Sequence, residues 1–238
     1  MTRYHHGDLR RALLTAAEEA ITETGVATLS MRDLARRAGV SHTAPTHHFR
    51  DKAGLLTAFA IEGFEQLAKA LATSRLASNS IVEMGVTYIR FAVTRRAMFE
   101  VMFRTDLYHP NDPDLLAARA KAADALYAAV TDLPDGLGAR GGQEDRAAPP
   151  VTGRPRDVAS SALEPGSAGP SAQPAARAAR PGAAETAPPE VRTAGLAAWS
   201  MAHGFATLWS TGAFPDRDLD SAEAARRLFA ELRREHVR

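Results

Sequence analysis

Five polar side chains crowd one short stretch: Ser41, His42, Thr43, Thr46 and His47. Hydroxyls and imidazoles at this density can donate to and accept from base edges and phosphates in a DNA groove. Arg, Asn and Gln, which make the strongest bidentate base contacts, are missing from these positions. Such groups act only if a helix carries them outward on a stable support, and the preceding residues encode that support. Ser30 is placed as an N-cap, and Asp33 three residues later lies near the positive end of a helix dipole. Leu29 and Leu34 occupy the two positions of a hydrophobic staple, and Leu34, Ala35 and Ala38 share one face. Arg32, Arg36 and Arg37 fall off that face. Gly39 is placed to end the helix in the left-handed conformation. Val40 then turns inward, and Ser41 is expected to cap a second helix over roughly 42–47. Pro45 would be its fourth residue, which implies a late or partly 3₁₀ start.

The flanks complete a three-helix unit. Asp8 or Gly7 can open a helix with Leu9, Leu13, Ala16, Ala20 and Ile21 on one stripe, closed by Gly25. After the hairpin, Asp51 can cap a further helix bearing Leu55, Leu56, Phe59, Gly63, Phe64 and Leu67. Lys52, its first residue, could reach a phosphate beside the free amides of that helix end.

The pattern Gly39-Val-Ser-x-x-x-Pro-x-x-His-Phe49-x-x-Lys52-x-x-Leu55-Leu56 resembles the TetR family of bacterial transcriptional repressors. The opening Tyr4-His-His-Gly-Asp-Leu-Arg10 and the later Trp199-Ser-Met-Ala-His-Gly204 resemble a subset with a Trp…His-Gly signature in the C-terminal domain. The strong match spans residues 4 to about 67, with a second anchor near 196–212. The resemblance implies DNA contacts at Thr28, Arg32, Ser41, His42, Thr43, Thr46, His47 and Lys52. The family usually has Tyr where this chain has Thr46, and that Tyr commonly touches a phosphate; Thr46 is too short for the same reach. Phe49 is expected as a core plug and His48 as a structural residue.

The chain has 238 residues, no cysteine and a formal charge of +1. It shows no signal peptide and no apolar run long enough to span a bilayer, so a cytoplasmic protein without a disulfide framework is expected. Residues 1–60 hold eight Lys and Arg against six Asp and Glu, so non-specific DNA affinity should be modest. His5, His6, His42, His47 and His48 lie in the same segment; their protonation below about pH 6.5 should tighten DNA binding and blur its selectivity. The chain lacks a Gly-x-Ser-x-Gly elbow, a Gly-rich phosphate loop and a His-Glu-x-x-His site, so no enzyme, cofactor or metal is expected.

The remainder reads as helical. Ile81, Met84, Tyr88, Phe91 and Arg95 share one face, and Phe99, Met102 and Phe103 follow on a short helix ending before His109-Pro110. Asp114 to about Asp132 is alanine-rich, with Leu115, Leu116, Ala123, Leu126, Tyr127 and Val130 as its apolar set. Residues 134–190 hold ten of fourteen prolines and no aromatic residue, the composition of a disordered insert. Order is expected again from about Val191. Leu196, Trp199, Met201, Ala202, Phe205, Leu208 and Trp209 make a helix apolar nearly all round, which implies burial on several sides. A last helix, Ala222 to His236, should turn Ala225, Leu228, Phe229 and Leu232 inward.

The expected architecture is all-α. Residues 1–52 form a three-helix helix-turn-helix DNA-binding domain, and 53–238 form a helical regulatory and dimerisation domain containing the insert. The resemblance implies a homodimer through the last two helices, a palindromic double-stranded operator and release by a small-molecule effector. It places the effector pocket among Met84, Tyr88, Phe91, Phe99, Met102, Phe103, Tyr127, Trp199, His203 and Trp209. For each of these the competing expectation is plain core packing. The competing function is a constitutive or activating DNA-binding protein without effector control.

Overall fold

The computed structural model describes residues 6–131, 186–214 and 220–235. Among these, nine helices follow in order: α1 (His6–Thr24), α2 (Met31–Arg37), α3 (Ala44–Phe49), α4 (Lys52–Ser78), α5 (Ile81–Thr94), α6 (Arg96–Met102), α7 (Pro113–Thr131), α8 (Pro189–Thr211) and α9 (Ser221–Glu235). The described residues contain no strand, as the all-α expectation requires. Most of the expected insert, and the residues up to Tyr4-His5 at the start, lie outside the described residues. So do the side chains of Val130 and Leu232.

Local chemistry explains most boundaries. Ser30 Oγ accepts from the Asp33 amide at 3.1 Å, and Leu29 and Leu34 are both buried as a staple. Gly39 takes φ +66°, the left-handed geometry that lets the chain turn from α2 toward α3. Asp51 and Ser80 cap α4 and α5 through the amides of Gly54 and Glu83. Asp112 accepts from the amides of Asp114 and Leu115 at 3.0 Å, so α7 opens at Pro113. Asp220 caps α9 in the same way, through Ala222 and Glu223.

Several expectations are corrected. The second hairpin helix runs Ala44–Phe49 rather than 42–47, with Thr43 and not Ser41 as its N-cap. The shift puts Pro45 in the second helical position, where its missing amide breaks no helical bond. α1 is already helical at His6, ahead of Gly7 and Asp8. α8 begins at Pro189, two residues before the expected return of order. Leu116 on α7 and Leu228 on α9 are exposed instead of inward.

α4 organises the molecule. Its 27 residues make a rod of about 40 Å that packs on α7, α5 and α6 and meets α3 at its start. Leu55, Leu56, Phe59, Gly63, Phe64, Leu67 and Leu71, with Thr57, Ala58 and Ala60, are its buried set. α5 in turn packs on α8 and α9, and α7 on α8. At Gly195 on α8 a Cβ would collide with the Tyr127 ring, so glycine is what lets α7 close on α8 there.

The joint between α3 and α4 is unusual. Arg50 sits at φ 69°, ψ −60°, and the Asp51 amide donates to the Phe49 carbonyl at 2.9 Å. This is the γ-turn of positive φ, a strained form for a residue with a side chain. The Phe49 carbonyl is pressed so close to α4 that any Cβ at Gly54 would overlap it.

Candidate nucleic-acid interface and aromatic cluster

On α3 the two faces differ completely. Pro45 and Phe49 are buried and anchor the helix, while Thr43, Thr46 and His47 are exposed, continuous with exposed Ser41 and His42 ahead of it. His48 is half-buried, its ring 6.2 Å from that of Phe49. Ser41 Oγ and Thr43 Oγ1 are 2.9 Å apart. This pairing holds the approach to α3, in place of the capping role expected of Ser41. Thr28, also exposed, ties its hydroxyl to the Thr24 carbonyl at 3.0 Å and so closes the turn after α1.

The three arginines of α2 are not equivalent. Arg37 bridges Glu23 and Asp33 at 2.7 Å each, which joins α1 to α2. These partners raise its guanidinium pKa and lower those of both carboxyls. Arg36 also pairs with Asp33. Among the described residues, Arg32 alone of the three has no carboxylate partner, and it lines an open concavity with Ser30, Val40 and His42. Lys52 does not simply project outward. Its Nζ donates to the Ala27 carbonyl at 3.1 Å, stapling the start of α4 to the α1–α2 turn and leaving two N–H donors.

The ten expected pocket residues do not form one group. Tyr88, Phe99, Phe103, Trp199 and His203 converge where α5, α6 and α8 meet. The His203 ring lies 4.6 Å from Phe103 and 5.2 Å from Phe99, and Tyr88 meets Phe99 edge-on at 5.8 Å. Trp209 belongs to a second cluster, stacked on Phe205 at 5.6 Å and next to Phe214. Tyr127 packs on Gly195. Met84, Phe91 and Met102 are buried members of the main core.

Inside the first cluster runs a polar chain. Trp199 Nε1 donates to Tyr88 Oη at 3.1 Å, and Tyr88 Oη is 2.9 Å from His203 Nδ1. An indole N–H can only donate, so Tyr88 Oη accepts from Trp199. Between Tyr88 Oη and His203 Nδ1 either group can donate, according to which His203 nitrogen carries the proton. Burial favours the neutral form of both groups: it lowers the His203 pKa and raises that of the Tyr88 phenol.

Sequence reasoning missed two links. Arg95 closes an otherwise apolar face of α5, and it pairs with Glu18 of α1, with Nε 2.8 Å from Oε1. A charge at an apolar position was the available signal. Tyr108 donates to the Met102 carbonyl at 2.8 Å and accepts from Arg119 at 3.2 Å. A loop tyrosine carries no periodicity that would reveal this. Among the described residues there is no cluster of metal-ligating side chains and no helix long and apolar enough to cross a membrane.

Residues 13–59 match the model of bacterial regulatory proteins of the tetR family, and residues 81–232 match the tetracyclin repressor-like C-terminal domain. An HTH-type transcriptional regulator BetI of Escherichia coli is 45% identical over 62 residues, which cover 26% of this chain and 32% of that protein. The chain thus spans about a third of the length of that relative. A protein of unknown function from a Rhodococcus species superposes with a TM-score of 0.63 at 28% identity, covering 96% of this chain and 97% of its own. The TetR family transcriptional regulator PfmR from Thermus thermophilus shares the fold, with a TM-score of 0.52 at 18% identity and 91% and 93% coverage. With both halves matched and the hairpin built as described, the chain belongs to the tetR family of bacterial regulatory proteins.

Proposed function

We propose that the chain is a cytoplasmic repressor that binds a palindromic operator as a homodimer and is released by a small molecule. Its DNA contacts are Thr28, Arg32, Ser41, His42, Thr43, Thr46, His47 and Lys52. The observation that carries this reading is the division of α3 into a buried anchor, Pro45 and Phe49, and a wholly exposed polar face. We assign residues 1–52 to DNA binding and 53–238 to regulation and dimerisation, with Trp199, His203 and Gly204 as the subset's signature.

The dimer reading rests on α8. The sequence expects this helix to be buried nearly all round, yet only Gly195, Ala202, Phe205 and Ala206 are buried. The opposite face leaves Leu196 52% and Leu208 49% exposed, with Met201 between them and Leu228 of α9 exposed as well. A partner copy covering this face accounts for apolar side chains that the described residues leave uncovered. Gly204 lies in the middle of the stripe, and a Cβ there would meet nothing within 4 Å. No contact among the described residues requires glycine at that place, whereas close crossing of two helices favours it. Gly204→Leu should leave the fold intact and yield monomers by sedimentation; a variant that stays dimeric would refute this interface.

Selection of bound fragments from a random DNA pool tests the operator reading. A palindromic consensus, its half-sites about one helical turn apart, is the expected result. Enrichment of no sequence would overturn it. Effector control requires a molecule that stabilises the protein and lowers its operator affinity, because release needs unequal affinity for two conformations.

A further inference from the structure

The polar chain at the α5–α6–α8 junction ends on an unpartnered ring nitrogen. Trp199 Nε1–H donates to Tyr88 Oη, which is also hydrogen-bonded to His203 Nδ1. No described residue is hydrogen-bonded to His203 Nε2, the other nitrogen of the ring. The imidazole is half-buried, flanked by the rings of Phe99, Phe103 and Trp199. Trp199 is 36% exposed and Phe103 is half-buried, so this side of the cluster faces outward.

We propose that Tyr88 O–H donates to Nδ1 and so holds the His203 proton on Nε2, that this Nε2–H is the polar recognition point of the protein's small-molecule site, and that the site takes an uncharged, ring-bearing molecule with a hydrogen-bond acceptor. The inference rests on the reading that a small molecule binds among the C-terminal helices, and it names the class of that molecule. The aromatic rings provide the apolar walls and the imidazole N–H provides one directional contact. None of the three hydrogen-bonded groups carries a formal charge. An ammonium ligand would meet a donor where it needs an acceptor, and a carboxylate would lose hydration with no countercharge. Tyr88 and Trp199 act as positioning residues: they fix the tautomer that puts the proton on Nε2.

A matched set of probes on the full-length protein tests this: acetophenone, ethylbenzene, phenethylammonium and phenylacetate. Acetophenone and ethylbenzene share a ring and nearly a shape but differ in the carbonyl acceptor. Acetophenone should bind about tenfold more tightly than ethylbenzene, the range of one net hydrogen bond, and more tightly than either ion. His203→Gln, which keeps an N–H donor, should retain that preference, while His203→Phe should reduce the ratio to about one. Should His203→Phe fail to fold, the imidazole ¹⁵N shifts of the wild type decide the matter. They should report the Nε2-protonated neutral tautomer at pH 7.5, with Nε2 moving when acetophenone is added. Equal binding of acetophenone and ethylbenzene, tighter binding of either ion, no binding of any probe, or the Nδ1-protonated tautomer would each overturn the proposal. Operator affinity is measured in parallel. Acetophenone binding with unchanged operator affinity would reject effector control while leaving this site standing; loss of all probe binding with operator recognition intact would do the reverse.

Discussion

The two ends of the molecule bury different things. In the N-terminal unit the interior is simple: Leu13, Leu34, Phe49 and Leu56 fill it, and the polar groups stand outside on α3. In the C-terminal unit the interior itself is polar in part, with Tyr88 only 2% exposed and its hydroxyl shared between Trp199 and His203. The contrast separates two kinds of tolerance. On an exposed face, chemistry can change without loss of fold. In a polar chain threaded through the core, each change of chemistry is also a change in stability.

Four substitutions probe that contrast. Phe59 is fully buried in α4, the helix that meets both units. Phe59→Ala should cost about 3–5 kcal/mol by urea denaturation and abolish the distinction between the ends, since both lose their support. Tyr88→Phe strands the Trp199 N–H and His203 Nδ1; a loss of about 1–3 kcal/mol is expected in the same assay. A neutral outcome would mean that the polar chain is not a core element. Thr46→Ala and His47→Ala should each stay within about 0.5 kcal/mol of the parent in stability. On the reading that α3 contacts DNA, each should still weaken binding to the selected operator by about tenfold, measured by titration at fixed salt.

The smallest effect concerns acid stability at the C-terminal end. Arg226 bonds both oxygens of Glu83, at 2.8 and 3.1 Å, and holds its carboxyl below the usual range. A carboxyl depressed in the folded state stabilises above its unfolded pKa and loses that contribution as pH falls through the folded value. Both partners are more than a third exposed, so the pair contributes less than about 1 kcal/mol after screening. Glu83→Gln should flatten the decline of stability below about pH 4.3 and change little at pH 7. An unchanged acid limb would remove the pair from the account.

Legibility in the sequence followed the range of the signal. The Ser30 cap, the Leu29–Leu34 staple, the Gly39 turn and the Asp51 cap are each decided within a few residues, and all appear as read. The start of α3 is harder to place because Ser41 and Thr43 are both capable caps, and only the fit of Pro45 to the second helical position separates them. The pocket set comes from the family resemblance, and apolar periodicity cannot subdivide it. Periodicity identifies the inner face of a helix but not the neighbour it meets, so it does not separate Trp209, on Phe205, or Tyr127, on Gly195, from the cluster around His203. The link from Tyr88 to His203 spans 115 positions, and nothing local to either residue encodes it.

The strained turn at Arg50 fixes how α3 is joined to α4. A backbone held at φ 69° is worth about 1–3 kcal/mol of strain, tolerated only where the surroundings over-determine it. Here Phe49 is plugged into the core and its carbonyl is wedged against Gly54. The joint is over-determined: the turn, the plug and the wedge all act on the same three residues. On the reading that α3 contacts DNA and a small molecule controls it, a signal passing this way would re-aim the polar face as one piece with the start of α4.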